Sequence, residues 1–331
     1  MIISRTPFRI SFFGGGTDYP VWYRENGGAV LSTTIDKYCY ITLRYLPPFF
    51  PYKHRIVYSN TETVKDIEEI VHPAVKAALK FMNVEKGMEI HHDGDLPARS
   101  GLGSSSSFTV GMLNSLYALK GSMVPKSKLA KEAIYIERDV LKENVGVQDQ
   151  IAAAFGGLNR ITFGKDEKFI VEPITIGADR KKELESCLML FFTGFSRTAS
   201  EIAKAQIENT PQKSKELNIM RQMVDEALGI LCGSGDISDF GRLLNKTWEL
   251  KRSLTNKISN PEIDKIYEKA KFSGALGGKI LGAGGGGFML LFVPSERKQK
   301  IREALNGLLE VPFHFDNGGS QIIYYNLQDL T

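Results

Sequence analysis

The run Pro97-Ala98-Arg99-Ser100-Gly101-Leu102-Gly103-Ser104-Ser105-Ser106-Ser107 constrains this chain more than any other stretch, because of what stands on either side of it. Before it, Met88-Glu89-Ile90-His91-His92 reads as a short strand. After it, Phe108, Met112, Leu116 and Leu119 recur at helical spacing, so the glycines fall where a strand gives way to a helix. Glycine lets backbone N–H groups approach a ligand closely, and a helix that opens within the serines aims its unpaired N–H groups and positive dipole end at an anion. Serine hydroxyls can add hydrogen bonds or a magnesium ligand. The run therefore reads as a phosphate cradle. Serine is also a preferred helix N-cap and Gly-Ser an ordinary loop composition, but four serines exceed what one cap requires. The lysine of the Walker pattern is missing, so a nucleotide here would be held mostly by backbone and hydroxyls.

At 331 residues, with 42% hydrophobic and 24% charged content, the chain is long enough for two domains with a core each. Its formal net charge of +4 is mild, and basic residues are interspersed with acidic ones. Charge thus gives no argument for a nucleic-acid partner or a membrane surface. Cys39, Cys187 and Cys232 are widely spaced and odd in number, which suits buried, reduced thiols in a cytoplasmic protein. No apolar run reaches membrane-spanning length, and the first residues do not read as a signal peptide.

Strand signals crowd the first half: Arg9 to Phe13, Ala29 to Leu46, Arg55 to Ser59, Met88 to His92, Leu158 to Phe163 and Phe169 to Ile176. Helical patterns interrupt them at His72 to Met82, after the serines, and over Lys126 to Lys142. The polar segment around Ala178-Asp179-Arg180-Lys181-Lys182 places a boundary between domains 1–180 and 181–331. The second is helix-rich, with strands expected at Cys187 to Phe192, Phe288 to Val293 and Gln321 to Tyr325. The fold class is mixed α/β.

Two carboxylates stand out. Glu137 shares a helical stripe with Ala130, Ala133, Ile134, Val140 and Leu141, so it faces inward. A buried carboxylate needs a partner, either a structural arginine or lysine or a metal. Asp149 opens a second short helix, Val147 to Phe155. It either complements the helix dipole or accepts a proton from a substrate hydroxyl near the phosphates. A third acid, Asp18, comes after the strand Phe8 to Phe13 in Gly14-Gly15-Gly16-Thr17-Asp18-Tyr19. Backbone access, a carboxylate and an aromatic ring there suit a polyhydroxylated ligand, although Gly-Thr-Asp is equally a turn composition. Arg9 leads into that segment and could neutralise a transferring phosphoryl group or form a surface ion pair.

Lys279-Ile280-Leu281-Gly282-Ala283-Gly284-Gly285-Gly286-Gly287-Phe288 contains G-x-G-x-x-G, but it runs into an apolar strand-like segment, Met289 to Val293, rather than a helix. This excludes a dinucleotide fold and favours a glycine-rich loop lining a cleft. Gly277-Gly278-Lys279 lacks the Ser/Thr of a Walker ending, and Asp239-Phe240-Gly241 lies in a helical pattern with no His-Arg-Asp loop to make it a protein-kinase triplet.

Taken in order, Arg5 to Tyr19, Pro97 to Ser107 and Lys279 to Phe288 resemble the three motifs of the GHMP small-molecule kinases, with Val145-Gly146-Val147-Gln148-Asp149-Gln150 in support. Arg5 to Tyr19 and Phe192-Thr193-Gly194-Phe195-Ser196-Arg197 look most like the sugar 1-kinases of that family. The resemblance implies a ribosomal-protein-like α/β amino-terminal domain, a ferredoxin-like carboxy-terminal domain and an active site between them. It implies ATP and Mg²⁺, with ATP phosphates wrapped by Pro97, Arg99, Ser100, Gly101, Leu102, Gly103, Ser104, Ser105 and Ser106 and closed over by Gly284 and Gly285. Ser104 or Ser105 with Glu137 would hold the metal. Asp149 would act as base or orient the hydroxyl, and Arg9 would stabilise the transferring group. Gly15, Gly16, Thr17, Asp18 and Tyr19 would bind the sugar. The implied acceptor is a sugar phosphate, a heptose 7-phosphate in particular, in a monomer or homodimer. The phosphate that acceptor already carries would need a second anion site away from the ATP loop, for which Arg197, Lys251 and Arg252 are candidates. An unphosphorylated fucose or galactose, or a non-catalytic sensor role, are the alternatives. Arg99-Ser100 departs from the small residues more usual before Gly101.

Overall fold

The computed structural model describes residues 1–98, 100–194 and 199–327, with the side chain of Ala199 left aside. Its described strands form a nine-stranded and a four-stranded sheet. The larger one is organised by two long strands, Ile2–Phe13 and Gly28–Tyr45, paired antiparallel. The first begins as an alternation of buried and half-buried residues and becomes fully buried from Thr6 onward. It therefore delivers Arg9 and Ser11 to the interior. Met88–Gly94 pairs with the second long strand and ends just before the phosphate-loop candidate, as its sequence leads one to expect.

The helix after the serines spans Ser104–Leu119 and is buried along most of its length. Gly103, at φ +75°, precedes it in the left-handed region, and no side chain caps its start. The serines are thus not used as an N-cap, which leaves the first-turn amides to another acceptor. Lys126–Ile134 is α-helical, but the pattern expected to run to Lys142 changes to a π-helix over Tyr135–Val140. A wider turn of this kind is frequent at functional sites, and it carries Glu137.

The smaller antiparallel sheet contains Leu188–Gly194, Gly287–Phe292, Gly277–Ile280 and Leu309–Glu310. The helices Ser214–Cys232, Ser238–Leu254 and Pro261–Phe272 belong to the same half of the chain. Phe240, from the Asp-Phe-Gly triplet, is a core residue. Its ring meets Phe12 and Phe13 edge-on at 5.4 and 5.0 Å, tying the two halves together.

Several sequence expectations are corrected. The polar segment at 178–182 is a helix, Ala178–Ser186, which buries only Leu184 and so shows little apolar periodicity. The strand from Phe169 ends at Pro173. Gln321–Tyr325 and Phe315–Asp316 return to the larger sheet, pairing with the two long strands, so part of 181–331 completes the first half. Lys279 lies in a buried strand rather than a loop, because Gly277 and Gly278 pack where a Cβ would strike Gly241 and Leu290 carbonyls. Cys232 is exposed, unlike Cys39 and Cys187.

Candidate active site

The phosphate-loop candidate and the third glycine segment meet directly. Phe288 N–H donates to the Ser100 carbonyl at 3.2 Å, and a Cβ on Gly101 would lie 2.4 Å from the Leu281 carbonyl oxygen. Gly101 also has φ +85°, so both close approach and backbone conformation require glycine there. Beneath this contact opens a cleft of about 520 Å³. Gly101, Gly103, Ser104, Ser105 and Ser106 line one side, with Leu281 to Gly284 and Gly286 opposite. Arg9, Gly15, Gly16, Asp18, Tyr19 and Asp149 face the same space.

Arg9 grips Asp149 through both carboxylate oxygens, Nε to Oδ1 at 2.8 Å and Nη2 to Oδ2 at 2.6 Å. Its Nη1 donates to the Gly101 carbonyl at 2.6 Å. One side chain therefore ties the first long strand, the helix Gln148–Phe155 and the phosphate loop into one geometry. Each Asp149 oxygen gives one lone pair to Arg9 and keeps another, and the side chain remains 24% exposed toward the cleft. A bidentate guanidinium–carboxylate pair fixes orientation as well as charge.

Asp18 is buried, accepts the Gly16 N–H at 2.9 Å and has its carboxyl pushed up by burial, partly opposed by that hydrogen bond. Its own carbonyl accepts the Val147 N–H at 3.1 Å, joining the Gly14 to Tyr19 segment to the Asp149 helix. Burial likewise raises the Tyr19 phenol. Thr17 is turned inward, with its hydroxyl donating to Gly14 and Ala29 carbonyls, so it shapes the segment without lining the cleft.

Glu137 is 1% exposed and continues the buried stripe of Ala130, Ala133 and Ile134, whereas Val140, expected on the same stripe, is exposed where the helix widens into its π-turn. The partner of Glu137 is neither arginine nor lysine. Glu137 Oε2 accepts from Ser106 Oγ at 2.8 Å and from Gln150 Nε2 at 2.5 Å, whereas Oε1 has no hydrogen-bond partner. Burial pushes the carboxyl up to about 7, against the pull of the Thr109 and Ser106 hydroxyls and the Gln150 amide. Ser106, which lines the cleft, stands between it and Glu137, so it is Ser106 rather than Ser104 or Ser105 that bonds the acid. Among the described residues no three His, Cys, Asp or Glu side chains gather in one place. Magnesium, however, commonly takes only one or two protein carboxylates together with substrate phosphates and water. A buried acid with an unpartnered oxygen next to a hydroxyl fits that donor set.

Pro97 and Leu102 lie outside the cleft lining, and Leu102 is fully buried, with its carbonyl accepting the Arg9 N–H. Ser100 turns its hydroxyl back to the Pro97 carbonyl. Gly285 is held by its N–H to the Ile258 carbonyl, while Gly284 faces the cleft. Arg99 and Arg197 lie outside the described residues. Arg252 turns away to pair with Asp264 at 3.0 Å and to sit over Trp248, whereas Lys251 enters the cleft. Sequence reasoning misses Lys279, Gln148 and Gln150. Lys279 sits in an incomplete Walker pattern that points to no ligand, and the glutamines carry no charge to signal burial. Gln148 Oε1 accepts the Ser11 hydroxyl at 2.7 Å at the floor of the cleft.

The description GHMP kinases N terminal domain matches residues 69–157, and GHMP kinases C terminal matches 226–310. The chain is 30% identical to a D-glycero-alpha-D-manno-heptose 7-phosphate kinase of Campylobacter jejuni, over 92% of this chain and 93% of the relative. It is 26% identical to a galactokinase of Pyrococcus furiosus, over 92% of each. Among solved structures, a D-glycero-D-manno-heptose 1-phosphate kinase from Bacteroides thetaiotaomicron superposes with a TM-score of 0.79 at 26% identity, covering 99% of this chain and 100% of that one.

Proposed function

The chain belongs to the GHMP kinase family, and from that premise we propose that it transfers the terminal phosphoryl group of ATP to the anomeric hydroxyl of a sugar phosphate, a heptose 7-phosphate. The observation that carries this reading is the Arg9–Asp149 pair anchored to the phosphate loop through Gly101. It sets an acceptor for a hydroxyl proton and a donor for phosphoryl oxygens at one point in the cleft.

Backbone amides at the start of Ser104–Leu119 bind the ATP phosphates, aided by the positive end of the helix. Ser106 and Glu137, with Ser104 or Ser105, would hold Mg²⁺, which when bound spreads the charge of the phosphates. Asp18 and the neighbouring glycine amides orient sugar hydroxyls. The free lone pairs of Asp149 then align the acceptor hydroxyl and take its proton as the new O–P bond forms and the bond from the terminal phosphorus to the bridging oxygen breaks, ADP leaving, while Arg9 keeps the carboxylate fixed. Positioning and charge neutralisation supply most of the rate in such transfers. The heptose 7-phosphate assignment draws on the Campylobacter relative, and the Bacteroides structure, named for a heptose 1-phosphate, supports the heptose alone.

The test is ADP release from ATP over a panel of heptose 7-phosphate, unphosphorylated heptose, galactose and fucose. Highest kcat/KM on heptose 7-phosphate supports the reading. Preference for galactose or fucose would overturn the substrate, and no turnover of any sugar would overturn the activity.

A further inference from the structure

Lys251 and Lys279 are both buried, at 4% and 1% exposed, and both line the cleft. Lys251 Nζ donates to the Gly282 carbonyl at 2.5 Å, and Lys279 Nζ to the Ser11 and Phe12 carbonyls at 3.0 Å each. Neither makes an ion pair among the described residues, although a buried ammonium is costly without a counter-charge. Asp18 and Asp149 attract Lys251, and Asp18 attracts Lys279, but with Arg9 bound to Asp149 the cationic side chains Arg9, Lys251 and Lys279 share only these two carboxylates among the described residues. Burial pushes Lys251 down to about 8 and Lys279 well below the usual lysine range, so an arriving anion would favour their charged forms. As ammoniums, with three donors each, Lys251 keeps two and Lys279 one for a further acceptor. Such a pair is built for an anion that arrives with a ligand.

Position sets Lys279 apart from the nucleotide: Arg9 reaches back to Gly101 on the phosphate loop, whereas Lys279 hangs from Ser11 and Phe12, further along the strand toward the Gly14 to Tyr19 segment. Lys251 is held at Gly282, beside Gly101, and acts electrostatically on Lys279 and Asp18, so it extends the same positive patch from the phosphate loop toward that segment. We infer that Lys251 and Lys279 form the site for the phosphate the acceptor sugar already carries, making them the residues that select a phosphorylated over a plain sugar. This rests on the kinase reading above and names the part of the cleft that reads the substrate's charge.

Lys251→Met and Lys279→Met test it, with KM measured separately for heptose 7-phosphate and ATP. Hydrogen bonds to charged groups imply that each should raise KM for the sugar phosphate about 10- to 100-fold. KM for ATP should stay within about twofold, and Lys251→Arg, which keeps the charge, should recover most of the loss. A rise confined to ATP would assign the lysines to the nucleotide and overturn the inference, as would no change in either constant. If Lys279→Met fails to fold, Lys251→Met and Lys251→Arg decide. Titration of inorganic phosphate separates this inference from the activity. Weaker phosphate binding in Lys251→Met supports the anion site even if the wild-type protein prefers another sugar, and equal binding in both proteins overturns it.

Discussion

Gly146 lies against the carboxylate of Asp18, so closely that a Cβ at 146 would come within 1.9 Å of Oδ2. Its neighbour Val147 donates its N–H to the Asp18 carbonyl, so the turn before the Asp149 helix and the candidate sugar-binding segment fix one another. Gly146→Ala should therefore displace Asp18 while leaving the phosphate loop in place. The expected result in steady-state kinetics is a raised KM for the sugar, about tenfold, with KM for ATP unchanged.

Glu137 should make stability depend on pH. Its folded carboxyl is raised to about 7, above the ordinary carboxylate value, so the folded state holds a proton the unfolded chain has released. Stability of the metal-free protein should fall as pH rises from about 4.5 through 7, by roughly 3 kcal/mol at most. Glu137→Gln should remove that slope and raise the melting temperature at pH 8, while increasing the Mg²⁺ concentration needed for activity. Denaturant melts at pH 5 and pH 8 check the first expectation, and a magnesium titration of turnover checks the second.

Much of this site is legible in sequence because glycine, serine and charge are conspicuous. Gly101 and Gly103 mark backbone that only glycine adopts cheaply, and Glu137 stands out as an acid on an apolar stripe. The strand and helix flanking the phosphate loop come from period alone. Lys279 is hidden for the opposite reason, since a lysine beside glycines suggests an exposed loop. Only the pairing of Gly277–Ile280 against Gly287–Phe292 shows that it is interior. The return of Gln321–Tyr325 to the first sheet is a pairing across more than three hundred residues, which local pattern does not encode. Nor does spacing reveal which serine meets Glu137, because this depends on how the π-helix turns toward Ser106.

Gly101→Ala should be costlier than a loop substitution. A Cβ there is strained at φ +85° and strikes the Leu281 carbonyl at 2.4 Å, prising the phosphate loop from the third glycine segment. Loss of about 1–3 kcal/mol of stability is expected from the backbone conformation, with the steric clash in addition. Thermal unfolding and KM for ATP should both respond, in contrast to Gly146→Ala.

Arg9→Lys should retain charge but lose the bidentate grip on Asp149 and the bond to Gly101. Turnover should drop by about tenfold or more with folding intact, as circular dichroism and kcat would show.

The most direct measurement is single-turnover phosphoryl transfer by Asp149→Asn, with ATP and heptose 7-phosphate saturating. Asparagine preserves the shape of the side chain but cannot take the hydroxyl proton. The rate should fall by about two to four orders of magnitude, with ATP binding barely altered. A rate close to that of the wild-type protein would contradict the role of Asp149 and the chemistry assigned to this cleft.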